Sequence, residues 1–173
     1  MNKAFFFDRD GIVNKRIIGD YVKEISEFEF IPEFFDIFEL ICKKGYIPIL
    51  VTNQQGIGKK LMTEEQLIIV HDYMNKNLLD KTGYEFTDIY YCPDLAGSGS
   101  SRRKPAPGML LEASEKHNIN LTGSIMLGDS KSDIQAGISA GCTNIYLGNP
   151  PYESADYSFK DHSALLKGIN SII

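Results

Sequence analysis

Two carboxylates stand two residues apart in Asp8-Arg9-Asp10-Gly11, directly after the apolar run Phe5-Phe6-Phe7. Carboxylates at that spacing, just past a strand end, can reach one substrate, and Gly11 supplies the backbone freedom of a tight loop. The chemistry they allow is two-step phosphoryl transfer. Asp8 attacks phosphorus and becomes an aspartyl phosphate, while Asp10 gives a proton to the leaving oxygen and then activates water. Taken alone, the pair also reads as two turn aspartates.

Its company favours chemistry. Thr52 follows Ile49-Leu50-Val51, and Asp129 follows Ile125-Met126-Leu127-Gly128. Carboxylates such as Asp8 and Asp129 hold a hard divalent cation through oxygen, for which Mg2+ fits best. A Thr52 hydroxyl followed by the Asn53 N–H can take phosphate oxygens. Lys104, between Arg103 and Pro105, is a cation able to neutralise the nonbridging oxygens during transfer, whereas Arg102 reads as solvated surface. Asp133 has two readings that stay open: a helix cap with Ser130, or support behind the metal ligands. His71, His117 and His162 have no metal-ligand spacing and read as surface or core histidines.

These residues need a scaffold that brings strand ends to one edge. Short uninterrupted apolar runs at residues 4–7, 49–51, 89–91, 125–127 and 145–147 suit strands buried on both faces. Helical periodicity separates them. Phe34, Ile37, Phe38 and Ile41 share a face ahead of the stop Lys43-Lys44-Gly45. Thr63 and Gln66 have capping-box spacing before the stripe Leu67, Val70, Met74 and Leu78. A third helix starts at Pro107, a fourth runs from Ser130 to about Gly141 with Ile134, Gly137 and Ile138 inward, and a fifth ends the chain. Alternating β and α elements predict an α/β fold, a doubly wound and mainly parallel sheet, with function at the carboxyl ends of its strands. Residues 9–32 are long enough for a small hairpin flap, and the segment 96–101 reads as a mobile loop.

At 173 residues and 43% hydrophobic content, the chain is expected to be one domain, residues 1–173. It lacks the roughly 18 consecutive apolar residues that span a bilayer, and its start does not read as a signal peptide, which predicts a cytoplasmic protein. Three widely spaced cysteines predict free thiols. A net charge of −5 and pI near 5.2 disfavour nucleic acid and leave anionic substrates to local cations. A monomer acting on a small molecule, away from membranes, is expected.

The four segments around Asp8, Thr52, Lys104 and Asp129, in this order, resemble the motifs of the haloacid dehalogenase superfamily of phosphohydrolases over almost the whole chain. The segments 8–14, 28–32, 52–57, 90–93 and 103–105 are most similar to a branch holding the D-glycero-D-manno-heptose 1,7-bisphosphate 7-phosphatases and the related histidinol phosphatases, with the heptose enzymes nearer. The resemblance implies a Rossmann-like core with loop insertions and no separate cap domain. It also implies Mg2+ held by Asp8, the Asp10 carbonyl and Asp129, phosphoryl binding by Thr52 and Lys104, and sugar or second-phosphate contact by Arg103. The expected reaction is removal of the 7-phosphate in nucleotide-activated heptose biosynthesis, with histidinol-phosphate phosphatase as the alternative enzyme. A receiver-like phosphoprotein domain, of another class, does not need the second carboxylate at Asp10. Many members of the branch carry a zinc loop, C-x-H then C-x-C before the Arg-Lys pair. Here only Cys92 remains, with Asp94, Ser100 and Arg102 at the other ligand positions, so no zinc is expected.

Overall fold

The computed structural model describes residues 1–173. Six strands form one parallel sheet: β1 (Ala4–Phe7), β2 (Ile47–Asn53), β3 (Asp88–Cys92), β4 (Ile125–Gly128), β5 (Thr143–Leu147) and β6 (Tyr157–Phe159). Their spatial order is β3-β2-β1-β4-β5-β6, so the winding reverses between β1 and β4, where doubly wound sheets bind ligands. The helices are α1 (Pro32–Lys43), α2 (Gln55–Gly58), α3 (Glu64–Thr82), α4 (Gly108–His117), α5 (Lys131–Ala140) and α6 (His162–Gly168).

All four residues of β1 are buried, and they alternate between two cores. Phe5 and Phe7 join Leu50, Leu127 and Ile145 under α1, α3 and α6. Ala4 and Phe6 join Ile49, Val51 and Met126 under α4 and α5. Period-two alternation with apolar residues on both sides is what a central parallel strand requires. Helix ends follow from local chemistry. Pro32 occupies the first turn of α1, where a missing N–H costs nothing. Reciprocal capping boxes at Thr63/Gln66 and Ser130/Asp133 open α3 and α5, and Gly83 and Gly141 close them with left-handed φ of 78° and 83°. No helix is long and apolar enough to cross a membrane.

Two expectations need correction. Residues 9–32 form no regular hairpin strands: the pairing stops at one antiparallel bridge, Asn14 with Phe30, flanked by hydrogen bonds from Lys15 N–H to the Glu29 carbonyl and from Ile31 N–H to the Val13 carbonyl, and Ile25–Glu27 forms a single 3-10 turn. Ile138 is not inward but 49% exposed. The inward position is Gly137, packed so closely that a Cβ there would lie 1.9 Å from Asn144 Oδ1. The strand β6 and the one-turn α2 extend the predicted alternation.

Candidate active site

Because β1 and β4 are hydrogen-bonded neighbours, Asp8 and Asp129 emerge side by side, and the Asp8 N–H donates to the Leu127 carbonyl at 3.0 Å. On the other side of β1, β2 runs on through Thr52 and Asn53. Gly11 lets the loop after β1 pass over the Asp129 carboxylate. Its φ is +97°, and a Cβ would sit 1.9 Å from Asp129 Oδ2, so no side chain fits.

Lys104 reaches this edge from the segment before α4 and is buried. Its ammonium donates to Asp8 Oδ1 and the Val51 carbonyl, both at 2.7 Å, and pairs with Asp133 Oδ1 at 2.7 Å. Three donors thus meet three acceptors. Burial opposes the charge of Lys104, but Asp133 and Asp8 outweigh it and raise its pKa. Asp133 also accepts from the Ser130 N–H and hydroxyl through Oδ2. The two readings of this residue meet in one side chain: it caps α5 and is the counter-ion of Lys104.

Burial pushes the Asp8 carboxyl up to about 6; Lys104 lowers it, while the charges of Asp133 and Asp10 raise it further. Burial likewise pushes Asp129 up to about 7, with Asp8 adding to the shift and Arg16 opposing it. Carboxylate oxygens of Asp8, Asp129 and Asp133 lie within 4.8 Å of one another. Arg16 Nη2 donates to both Asp129 Oδ1, at 2.7 Å, and the Asp10 carbonyl, at 3.1 Å. A protein cation therefore bridges two of the oxygen groups expected to hold Mg2+. An all-oxygen, electron-rich set of this kind fits a hard divalent ion.

The Asp10 side chain points elsewhere. Arg9, fully buried, donates from Nη2 to both Asp10 oxygens at 3.0 Å. Asn14 Nδ2 donates to Oδ1 and Gln54 Nε2 to Oδ2, each at 3.0 Å. Burial alone would raise the Asp10 pKa, but the charge of Arg9 and these hydrogen bonds lower it. Gln54 Nε2 also donates to Thr52 Oγ1 at 2.9 Å, tying the candidate acid/base group to the candidate phosphate ligand.

Two adjoining clefts open here. One, of about 270 Å3, is lined by Asp8, Asp10, Arg16, Tyr21, Thr52 and Lys104 among others. The second, of about 490 Å3, runs along residues 96–100 to Arg103, and the two share Asn53, Lys104 and Ser132. The Asn53 side chain pairs with the Lys104 backbone, donating to its carbonyl at 2.9 Å and accepting from its N–H at 3.1 Å. Arg103 Nη1 donates to the Asp94 carbonyl at 2.9 Å. At the former zinc-loop positions, Cys92 Sγ donates to Asp94 Oδ2 at 3.4 Å and lies 3.8 Å from Ser100 Oγ, while the Arg102 guanidinium pairs with Glu112. A guanidinium has no lone pair to offer, so this set does not fit tetrahedral zinc.

Asp8, Asp10, Thr52, Asn53, Arg103, Lys104, Asp129 and Asp133 therefore share one sheet edge. His117 and His162 lie outside it, against Asp88 and the Ile12 carbonyl, whereas His71 touches Arg9. Arg9, Asn14, Arg16 and Gln54 also meet the site, in roles the sequence does not assign them. For Asn14 and Gln54 a signal existed, since each lies within a few residues of a chemically read position. Arg16, in a loop without periodicity, carried none.

A family model described as HAD-hydrolase-like matches residues 101–163. A D-glycero-beta-D-manno-heptose-1,7-bisphosphate 7-phosphatase of Pasteurella multocida is 38% identical, over 99% of this chain and 100% of its own length. The D-glycero-alpha-D-manno-heptose-1,7-bisphosphate 7-phosphatase of Campylobacter jejuni is 35% identical over 95% and 94%. Among solved structures, D,D-heptose 1,7-bisphosphate phosphatase from B. bronchiseptica, complexed with magnesium and phosphate, superposes with a TM-score of 0.86 at 27% identity, covering 99% of both chains.

Proposed function

This chain belongs to the haloacid dehalogenase-like hydrolases, in the family of D-glycero-D-manno-heptose 1,7-bisphosphate 7-phosphatases, and on that premise we propose that it removes the 7-phosphate from a heptose 1,7-bisphosphate with Mg2+ as cofactor. The proposal includes a cytoplasmic monomer that serves nucleotide-activated heptose synthesis. The observation that carries the chemistry is the meeting of Asp8, Lys104 and Asp129 at one strand edge, where the cation Arg16 bridges Asp129 and the Asp10 carbonyl.

Asp8 is the nucleophile. Lys104 holds its Oδ1 and fixes the carboxylate for in-line attack, which forms the aspartyl O–P bond as the bond from phosphorus to the sugar oxygen breaks. Asp10 acts from its protonated form, against the pull of Arg9 toward the carboxylate: it protonates that leaving oxygen, then recovers a proton from the water that attacks the aspartyl phosphate, releasing phosphate and restoring Asp8. Thr52, the Asn53 N–H and Lys104 bind the nonbridging oxygens. Asp8, the Asp10 carbonyl and Asp129 would hold Mg2+, which supplies neutralisation of the phosphoryl charge when bound. Arg103, at the second cleft, takes the far end of the substrate. Two clefts that share Lys104 suit a sugar with a phosphate at each end, and loops take the place of a cap domain.

The test compares kcat/KM for the two heptose 1,7-bisphosphate anomers and for histidinol phosphate, with Mg2+ present. A bisphosphate anomer should be preferred; preference for histidinol phosphate would overturn the substrate assignment.

A further inference from the structure

The helix α3 carries one buried titratable side chain that the proposed chemistry does not use. His71 is 4% exposed, and its Nε2 lies 3.2 Å from Arg9 Nη1. A guanidinium only donates, so Nε2 accepts, the ring is neutral, and its proton sits on Nδ1. Burial first, and the charge of Arg9 second, push the His71 pKa down to about 3, in keeping with that assignment.

Arg9 divides its donors between two partners. Nε and Nη2 go to Asp10, and Nη1 goes to His71. Around them, Asn14 and Gln54 spend amide N–H groups on Asp10, while Asn14 Oδ1 and Gln54 Oε1 stay buried without partners. Four nitrogen donors from three side chains, Arg9, Asn14 and Gln54, thus converge on the Asp10 carboxylate. His71 supplies the contact from a different element: it ties the far side of the guanidinium to a long capped helix, 62 residues along the chain.

We infer that His71 is a positioning residue for the reaction, fixing the plane of the Arg9 guanidinium and through it the direction of the Asp10 carboxylate. The inference rests on the reading of Asp10 as acid/base. A general acid works within hydrogen-bond reach of the leaving oxygen, and a misplacement of about 1 Å can cost on the order of 10²-fold. Without an acceptor at residue 71, Nη1 loses its anchor and the fork can turn, taking Asp10 with it.

The leaving group separates this role from a structural one. A sugar alkoxide needs a proton to depart; p-nitrophenolate does not. For His71→Leu, kcat/KM on the heptose bisphosphate should fall roughly tenfold, while kcat/KM on p-nitrophenyl phosphate stays within about twofold. His71→Gln, whose amide oxygen can accept from Arg9, should restore most of the loss. Should the leucine variant not fold, His71→Ala carries the same comparison. Equal losses on both substrates, no loss on either, or no rescue by glutamine overturns the inference. Asp10→Asn serves as the reference. If it shows the leaving-group split and His71→Leu does not, only the role of His71 falls; if Asp10→Asn itself shows no split, the acid/base reading falls and takes the inference with it.

Discussion

The loops that leave β1 and β3 start from the same sheet edge and keep their shape by opposite means. After β1, residues 8–14 are organised about charge: Asp8 on Lys104 at 2.7 Å, and Asp10 on Arg9 at 3.0 Å with two amides added. After β3, the turn of residues 93–103 closes on longer, neutral contacts, and its short charged ones, Arg103 to the Asp94 carbonyl at 2.9 Å and Arg102 to Glu112 at 2.7 Å, come only at its end. Ser100 Oγ accepts from the N–H groups of Arg102 and Arg103 at 3.3 and 3.4 Å, and Cys92 stands within 3.8 Å of it. Charge-assisted hydrogen bonds are roughly twice as strong as neutral ones and more directional. Reacting atoms demand that rigidity, because a catalytic carboxylate has one productive direction. If, as proposed, the loop after β3 meets only the far end of the substrate, it needs no such rigidity, and a thiol, a carboxylate and a hydroxyl stand there in place of the zinc-loop ligands.

The contrast can be broken by mutation. Asp8→Asn should abolish Mg2+-dependent phosphate release, by on the order of 10⁴-fold or more, with an unchanged circular dichroism spectrum; substantial turnover would remove the first loop from the chemistry. Asp10→Asn should slow transfer and hydrolysis by about 10²–10⁴-fold, and rapid-quench measurement should find its aspartyl phosphate long-lived.

Acid sensitivity should enter through the contact that α3 makes with the first loop, His71 on Arg9. In the unfolded chain His71 titrates near its ordinary 6.5, in the fold near about 3. Below 6.5 the unfolded state therefore takes up a proton that the folded state refuses. This contribution is complete above pH 6.5 and is lost as pH falls toward 3, amounting to about 2 kcal/mol at pH 5. Asp8 and Asp129, raised to about 6 and about 7, act in the opposite sense over this range, so urea titrations of wild type and His71→Gln should be compared, and the stability of wild type relative to the variant should fall as pH drops from 6.5 toward 3. The smallest effect is reserved for the second loop: Ser100→Ala should cost about 0.5–1.5 kcal/mol and alter KM more than kcat. A loss of kcat there as deep as that of Asp10→Asn would erase the distinction.

Legibility in the sequence follows the same division. Phe5-Phe6-Phe7 and Ile125-Met126-Leu127 announce themselves because a central parallel strand is apolar on both faces, and the polar residues that follow then fall on one edge. The edge strand β6 has three residues and a 43% exposed Tyr157, so no apolar run marks it. Ile138 misleads because it stands four residues after the buried Ile134, yet the sheet approaches α5 through Gly137. Asp8, Thr52, Lys104 and Asp129 were readable from strand ends and local chemistry. Arg16 and His71 were not, because each meets the site through a partner far along the chain: Asp129 is 113 residues from Arg16 and Arg9 is 62 from His71.

Arg16, resting on Asp129 and the Asp10 carbonyl, bears on how the protein comes into being. With Lys104 on Asp8 and Asp133, and Arg9 on Asp10, every carboxylate of the edge has a counter-ion encoded in the chain itself. A newly made polypeptide can thus complete its fold before any divalent ion reaches it, and dependence on magnesium begins at turnover instead of at birth. Stripping the metal with a chelator should silence the enzyme yet shift its melting temperature by only about 4 °C or less. Collapse of the fold on chelation would show that the resident cations do not suffice. With the fold kept, metal starvation would leave an intact, idle population of protein that a later supply of ion could recruit without new synthesis.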